Sequence, residues 1–186
     1  MDQTIWSKEL LAQRHEDVFV RLWDQLRAQE DKFLVLENFH FGELRLGQPQ
    51  PSEDIEHGLR LTRHAGAGQL LSANEWIQTL KKLKEQGYEL EQSEWRHPHF
   101  EVSNSVAASI IAMTLNVVNR RDQERLALRG NLRIQWQENS DPEIPPFPKL
   151  IEATEIELIS RKGERPFETA LVQDITPKAG ARSTDP

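Results

Sequence analysis

The chain has 186 residues, 37% of them hydrophobic and 28% charged, with a formal net charge of -7 and no cysteine. This length suits one domain around a single core, no apolar run approaches the ~18 residues that span a bilayer, and an acidic balance with scattered Lys and Arg argues against nucleic acid as a partner. The lack of cysteine excludes disulfides, thiolate metal sites and a Cys nucleophile.

The opening MDQTIWSKELLAQRHED lacks the basic-then-apolar order of a secretory signal, and no compartment is assigned. From Ser7 to Gln29, Leu11, Val18, Phe19, Leu22, Trp23 and Leu26 recur at helical spacing, predicting a first helix with Ser7 as its cap. KFLVLENFHFGELRLGQP, residues 32–49, reads as extended, with a short hairpin broken at Gly42 and Gly47. PQPSEDIEH reads as a loop, and GLRLTRHAGAG resumes strand alternation before a Gly-rich turn.

Ser72 and Glu75 have capping-box spacing, and Leu71 and Trp76 are placed to staple across that cap. A second helix is therefore expected over 73–86, stopped by Gly87. Beyond Gly87 the apolar period changes from about 3.6 to 2, and four long strands follow: 88–102, 105–119, one centred on 126–136, and 149–163. Residues 119–123 form the tight turn between the second and third strands, whereas ENSDPEIPPFP is a longer connection.

The second strand is apolar on both faces: Ile111, Met113, Leu115 and Val117 lie on one, and Val106, Ile110 and Val118 on the other. Helices cover only one face of an antiparallel sheet, so the other needs a further layer: a partner subunit, another domain, or the chain's own long loops. The predicted plan is α+β: a curved antiparallel sheet of about four long strands plus a short hairpin, packed against two helices over residues 1–163. This element order resembles the nuclear transport factor 2-like, or SnoaL-like, cone fold, with a cystatin-like single-helix sheet as the nearest competitor. The resemblance implies a pocket between helices and concave sheet and a homodimer formed through the outer sheet face. The fold hosts both enzymes and plain binding modules, so it decides no activity.

Among candidate site residues, WRHPHFE would place Trp95, His97, His99 and Glu101 on one face of a regular strand. Two imidazoles and a carboxylate are a metal-ligating set, but Pro98 points to an edge or bulge, and neither metal nor cofactor is assigned. An enzyme of SnoaL type would hold a pocket Glu or His as acid or base, and the strand-borne candidates are Glu94, His97 and His99. His15 beside the first helix's apolar stripe reads as a core or boundary residue. Arg125, Arg129 and Arg133 share one face of the third strand, where Arg129 and Arg133, with Trp95 and Glu101, are candidate ligand contacts. The plainer reading pairs the arginines with Glu155 and Glu157 across strands.

Residues 164–186 are expected to form an edge segment and linker. Asp174, Ile175, Thr176, Ala179 and Gly180 resemble the entry segment of FG-GAP β-propellers in UnbV/ASPIC-type proteins, which implies a following propeller domain. Together these readings favour a non-catalytic accessory module of a larger protein, used for dimerisation or for binding a small ligand or partner. The alternative is a small-pocket isomerase, dehydratase or cyclase.

Overall fold

The computed structural model describes residues 2–103, 106–139, 141 and 143–163, with side chains from residue 9 onward. The segment predicted as edge and linker, 164–186, lies outside the described residues.

Helix α1 (Asp2–Ala28) is the predicted first helix, but it begins at Asp2, so Ser7 lies inside it instead of capping it. The apolar stripe determines which face packs, not where the helix starts: His15, Phe19, Leu22 and Leu26 are buried at spacings of four, three and four. Trp23 Nε1 donates to the Ser93 carbonyl at 2.9 Å, which ties the helix to the sheet.

The first part of the segment read as extended is instead helix α2 (Lys32–Glu37), making three helices among the described residues where two were expected. A short apolar run does not declare its period; the informative residue is Asp31, whose side chain caps the Leu34 N–H at 3.2 Å. Helix α3 (Ala73–Glu85) carries the expected capping box. Ser72 Oγ accepts from the Glu75 N–H at 3.3 Å, and Glu75 accepts from the Ser72 N–H at 2.8 Å. Gly87 follows its end at φ +91, where a side chain would be strained. Lys84 of α3 pairs with Asp31 at the start of α2.

The sheet is mostly antiparallel, unclosed and has nine strands among the described residues. Its body is the expected series of four long strands, β6 (Tyr88–Ser103), β7 (Val106–Asn119), β8 (Glu124–Gln137) and β9 (Phe147–Lys162), each pairing with the next. Short strands extend the β9 edge. The first half of β9 pairs in parallel with β1 (Glu43–Leu46), which also pairs with β5 (Leu70–Ser72). Its second half pairs antiparallel with β4 (Leu59–Ala65).

Strands β2 (Gln48–Pro49) and β3 (Glu53–Ile55) lie against β4, so the expected loop at 49–57 contains strand, and the 32–49 hairpin is replaced by longer-range pairings. A 3-10 turn, Glu56–Gly58, leads into β4.

Register shifts interrupt the ladders of this sheet. β6 shifts at Leu90/Gln92 and again at Arg96/His99, and β8 and β9 slip against each other at Asn131/Arg133 and Gln135/Trp136. Gly130, at φ +156, sits beside the first β8–β9 slip, where a Cβ would land on the Glu155 carbonyl oxygen. The helices among the described residues pack on one face of the sheet, and the core runs from Phe19 and Leu26 to Ile111, Ile134 and Ile156. Among the described residues, no helix is long and apolar enough to cross a membrane.

Candidate functional site: an apolar cavity

Between the helices and the sheet lies a cavity of about 360 Å³. Each element contributes through its own periodicity. α1 presents Phe19 and Leu22, α2 Phe33 and Leu36, and α3 Trp76, Leu80 and Leu83. The long strands present alternate residues, including Trp95, Met113, Leu115, Leu128 and Ile156, because strand side chains of period two share a face. Among the described residues, His64 of β4 is the sole ionisable one in the lining, and its Nδ1 lies 3.4 Å from the Gly47 carbonyl oxygen.

Trp95 is 8% exposed, and its indole Nε1–H has no hydrogen-bond partner among the described residues. The Phe19 and Trp95 ring centroids are 5.8 Å apart, so the helix stripe holds that indole in place.

The predicted histidine cluster is divided by a bulge. His99 pairs with Ile110 and Arg96 with Ala112, so three steps along β6 match two along β7. Pro98 lies in this shift, where a missing N–H costs the ladder nothing. Trp95 therefore faces the cavity, while His99 and Glu101 share the opposite face, both more than half exposed and 3.6 Å apart. Glu94 is on that outer face too, 3.6 Å from Arg96. The period-two expectation for His97, His99 and Glu101 is thus corrected. Among the described residues, no three metal-ligating groups converge.

His97 turns inward. Its Nε2 lies 2.9 Å from Ser109 Oγ, which also accepts from Trp136 Nε1 at 2.9 Å. With His97 neutral, Ser109 donates to it and accepts from Trp136, satisfying all three groups. Protonating His97 would put two donors on one hydroxyl and leave that hydroxyl's hydrogen without an acceptor. Burial is the main cause that lowers the His97 pKa from its ordinary value, opposed by the nearby Glu16. Ser109 is 1% exposed, and neither it nor His97 lines the cavity.

His15 is fully buried in the same region, its ring centroid 4.7 Å from that of Phe100 and 4.9 Å from that of Trp136. Its Nδ1 is 2.7 Å from the Leu11 carbonyl oxygen. Nε2 is 2.7 Å from a Glu138 oxygen but outside hydrogen-bonding geometry.

The arginines of β8 stay on the outer face. Arg129 donates to Glu157 at 2.8 Å, and this bond holds the carboxyl below its ordinary pKa. Arg63 approaches the same carboxylate at 3.4 Å. Arg125 is 3.6 Å from Glu91. Arg133 lies opposite Glu152, whose carboxylate is held by Arg45 at 2.7 Å. Arg129 pairs with Glu157 as the plainer reading had it, and none of the three arginines lines the cavity.

His64 and Ser109 did not stand out in the sequence. Ser109 had a usable signal: it is a hydroxyl in phase with Ile111 and Met113 on the buried face of β7. His64 had none, because its place depends on β4 pairing with β9 across some ninety residues.

No protein-family model matches the chain, and no significant match is found among curated proteins or solved structures.

Proposed function

We propose that this domain is a non-catalytic binding module that encloses a small, largely apolar molecule between its helices and its sheet. One observation carries the reading: a cavity of about 360 Å³ whose lining, among the described residues, contains a single ionisable side chain, His64, and no carboxylate. Small-molecule sites are concave and mostly apolar, with few polar groups, and a dry cavity of about 150 Å³ already takes benzene. The enclosed pocket of the nuclear transport factor 2-like cone is the arrangement this reading fits best. An acid–base enzyme would need its acid or base at the substrate, and Glu94, His97 and His99 all lie outside the cavity lining.

The test is binding of an apolar fluorescent probe, N-phenyl-1-naphthylamine, to the intact chain and to Ala153→Phe. Ala153 is buried and lines the cavity, so the new ring would occupy its volume. Probe affinity is expected to fall at least about tenfold in the variant. An equal affinity in both proteins, with the variant folded, would reject the cavity as the site.

A second reading is favoured by β7. Val106 is 49% exposed, and Ile110 and Ala112 are half-buried on the outer face. Pairing of two copies through that face would cover them. Light scattering on the eluting protein tests this; a strict monomer at high concentration removes the reading. The proposed propeller partner rests on residues outside those described, and Asp-rich repeats encoded after Pro186 would support it.

A further inference from the structure

A circuit of side chains closes beneath the first half of α1. The His97 ring centroid lies 6.1 Å from that of Phe100, Phe100 lies 4.7 Å from His15, and His15 lies 4.9 Å from Trp136. Trp136 and His97 then meet at one hydroxyl, Ser109 Oγ, each at 2.9 Å. His15 is the member from α1, and it is fully buried. One turn further along the same stripe, Phe19 stands edge-on to Trp136, centroids 6.1 Å apart, and Phe19 is a wall of the cavity. The seat of the helix and the cavity wall therefore share Trp136.

A proton on His97 is poorly provided for. Burial is the largest effect and disfavours it; Glu16 of α1 and a backbone hydrogen bond with His99 favour it, and the charges of His15 and His99 oppose it. The remaining charged groups sit at His15 instead: Glu138 lies 2.7 Å from its Nε2, with Arg14 of α1 3.6 Å from the same carboxylate. β7 and β8 contribute the uncharged Ser109 and Trp136. A charged His97 ring can no longer accept from Ser109, and it recovers hydration by turning towards water. Ser109, 1% exposed, is then left with an unpaired hydroxyl hydrogen under the helix. The rings that shut water out from this hydroxyl are also the ones that seat α1, so hydrating it loosens the helix.

We propose that this circuit is an acid-sensitive latch: a proton on His97 breaks its bond with Ser109 and frees the first half of α1 from the sheet, which opens the cavity wall at Phe19 and releases the ligand. The release step rests on the reading of the cavity as a ligand site; the movement of α1 does not. The latched ring binds a proton less readily than a free one, so the latch is shut above the ordinary imidazole value of 6.5 and opens as pH falls below it. Linkage makes the coupling reciprocal: a ligand held against Phe19 keeps the helix seated and His97 neutral.

The test titrates N-phenyl-1-naphthylamine into the full chain at pH 7 and pH 5, for wild type and for His97→Gln, whose amide can still bond to Ser109 but takes up no proton. Amide hydrogen exchange, corrected for its intrinsic pH dependence, is followed in the free proteins. Wild type is expected to bind the probe about fivefold or more weakly at pH 5, and to lose protection in α1 between Leu11 and Leu22 while β7 and β8 keep theirs. The variant is expected to change in neither respect. The exchange pattern of wild type does not depend on the variant folding.

Unchanged α1 protection at pH 5, a loss spread equally over β7 and β8, or the same pH response in a folded variant overturns the latch. Release of α1 with unchanged probe affinity overturns its coupling to the cavity. If the probe does not bind at pH 7, the cavity reading fails and the coupling falls with it, while the exchange data still decide whether acid frees α1.

Discussion

Asn119, at the end of β7, is 1% exposed and uses both ends of its amide. Its oxygen accepts from the N–H groups of Arg121 and Asp122, each at 3.1 Å, and its nitrogen donates to the Gln86 carbonyl at 3.0 Å and to Asp122 at 3.2 Å. One side chain therefore forms the β7–β8 turn and joins it to the end of α3. Asn119→Ala should destabilise the fold by about 2 kcal/mol, measured by urea denaturation, because buried partners are left unpaired. Arg129→Ala should cost less than about 1 kcal/mol in the same assay, since its pair with Glu157 is open to solvent.

His97 predicts a pH dependence. Its pKa is lowered from 6.5 in the fold, chiefly by burial, so folding favours the neutral ring. Its stabilising share is present above the unfolded value and is lost as pH falls below it, because the unfolded chain then binds the proton more readily. The melting temperature of wild type should drop more steeply than that of His97→Gln between pH 7 and 5. Parallel profiles would refute the neutral Ser109-bonded ring.

At the scale of elements, α3 was legible because its signals are local. Ser72, Glu75 and Gly87 act on backbone groups within a few residues of themselves. Ser72→Ala should cost about 1 kcal/mol in urea denaturation. The alternation after Gly87 likewise revealed four strands, since one buried face imposes period two on each.

α2 was not legible as a helix. Phe33, Leu34, Val35 and Leu36 suit a strand as well as a helix turn, and the six-residue segment is stabilised by burying Phe33, Val35 and Leu36 against the rest of the molecule. Pro98 marked an irregularity in β6, but not which side chains it would turn outward. That was decided by the pairing of His99 with Ile110. Gly130→Ala should destabilise by 2 kcal/mol or more, about twice the capping loss, because its Cβ meets a backbone carbonyl in the neighbouring strand.

For the whole molecule, the cavity lies where the helices meet one face of the sheet: side chains of both layers line it and leave about 360 Å³ that they do not fill. A ligand that binds only the folded state should raise stability by about 2.7 kcal/mol at 100 times its Kd. For a domain of this size that shifts the melting temperature upward by roughly 5–10 °C, which thermal denaturation with and without N-phenyl-1-naphthylamine can check.

The amino-acid sequence by itself determined the α+β class, the long strands, the capped helix and the apolar stripe of α1, because period, caps and turn residues act over short distances along the chain. Only the tertiary structure decided that β9 pairs with β1 in one half and β4 in the other, that His64 and Trp95 line one cavity, and that His97 lies on one side of the sheet while His99 lies on the other. Those outcomes depend on strand register and bulge position, which are set by the packing of side chains far apart in sequence.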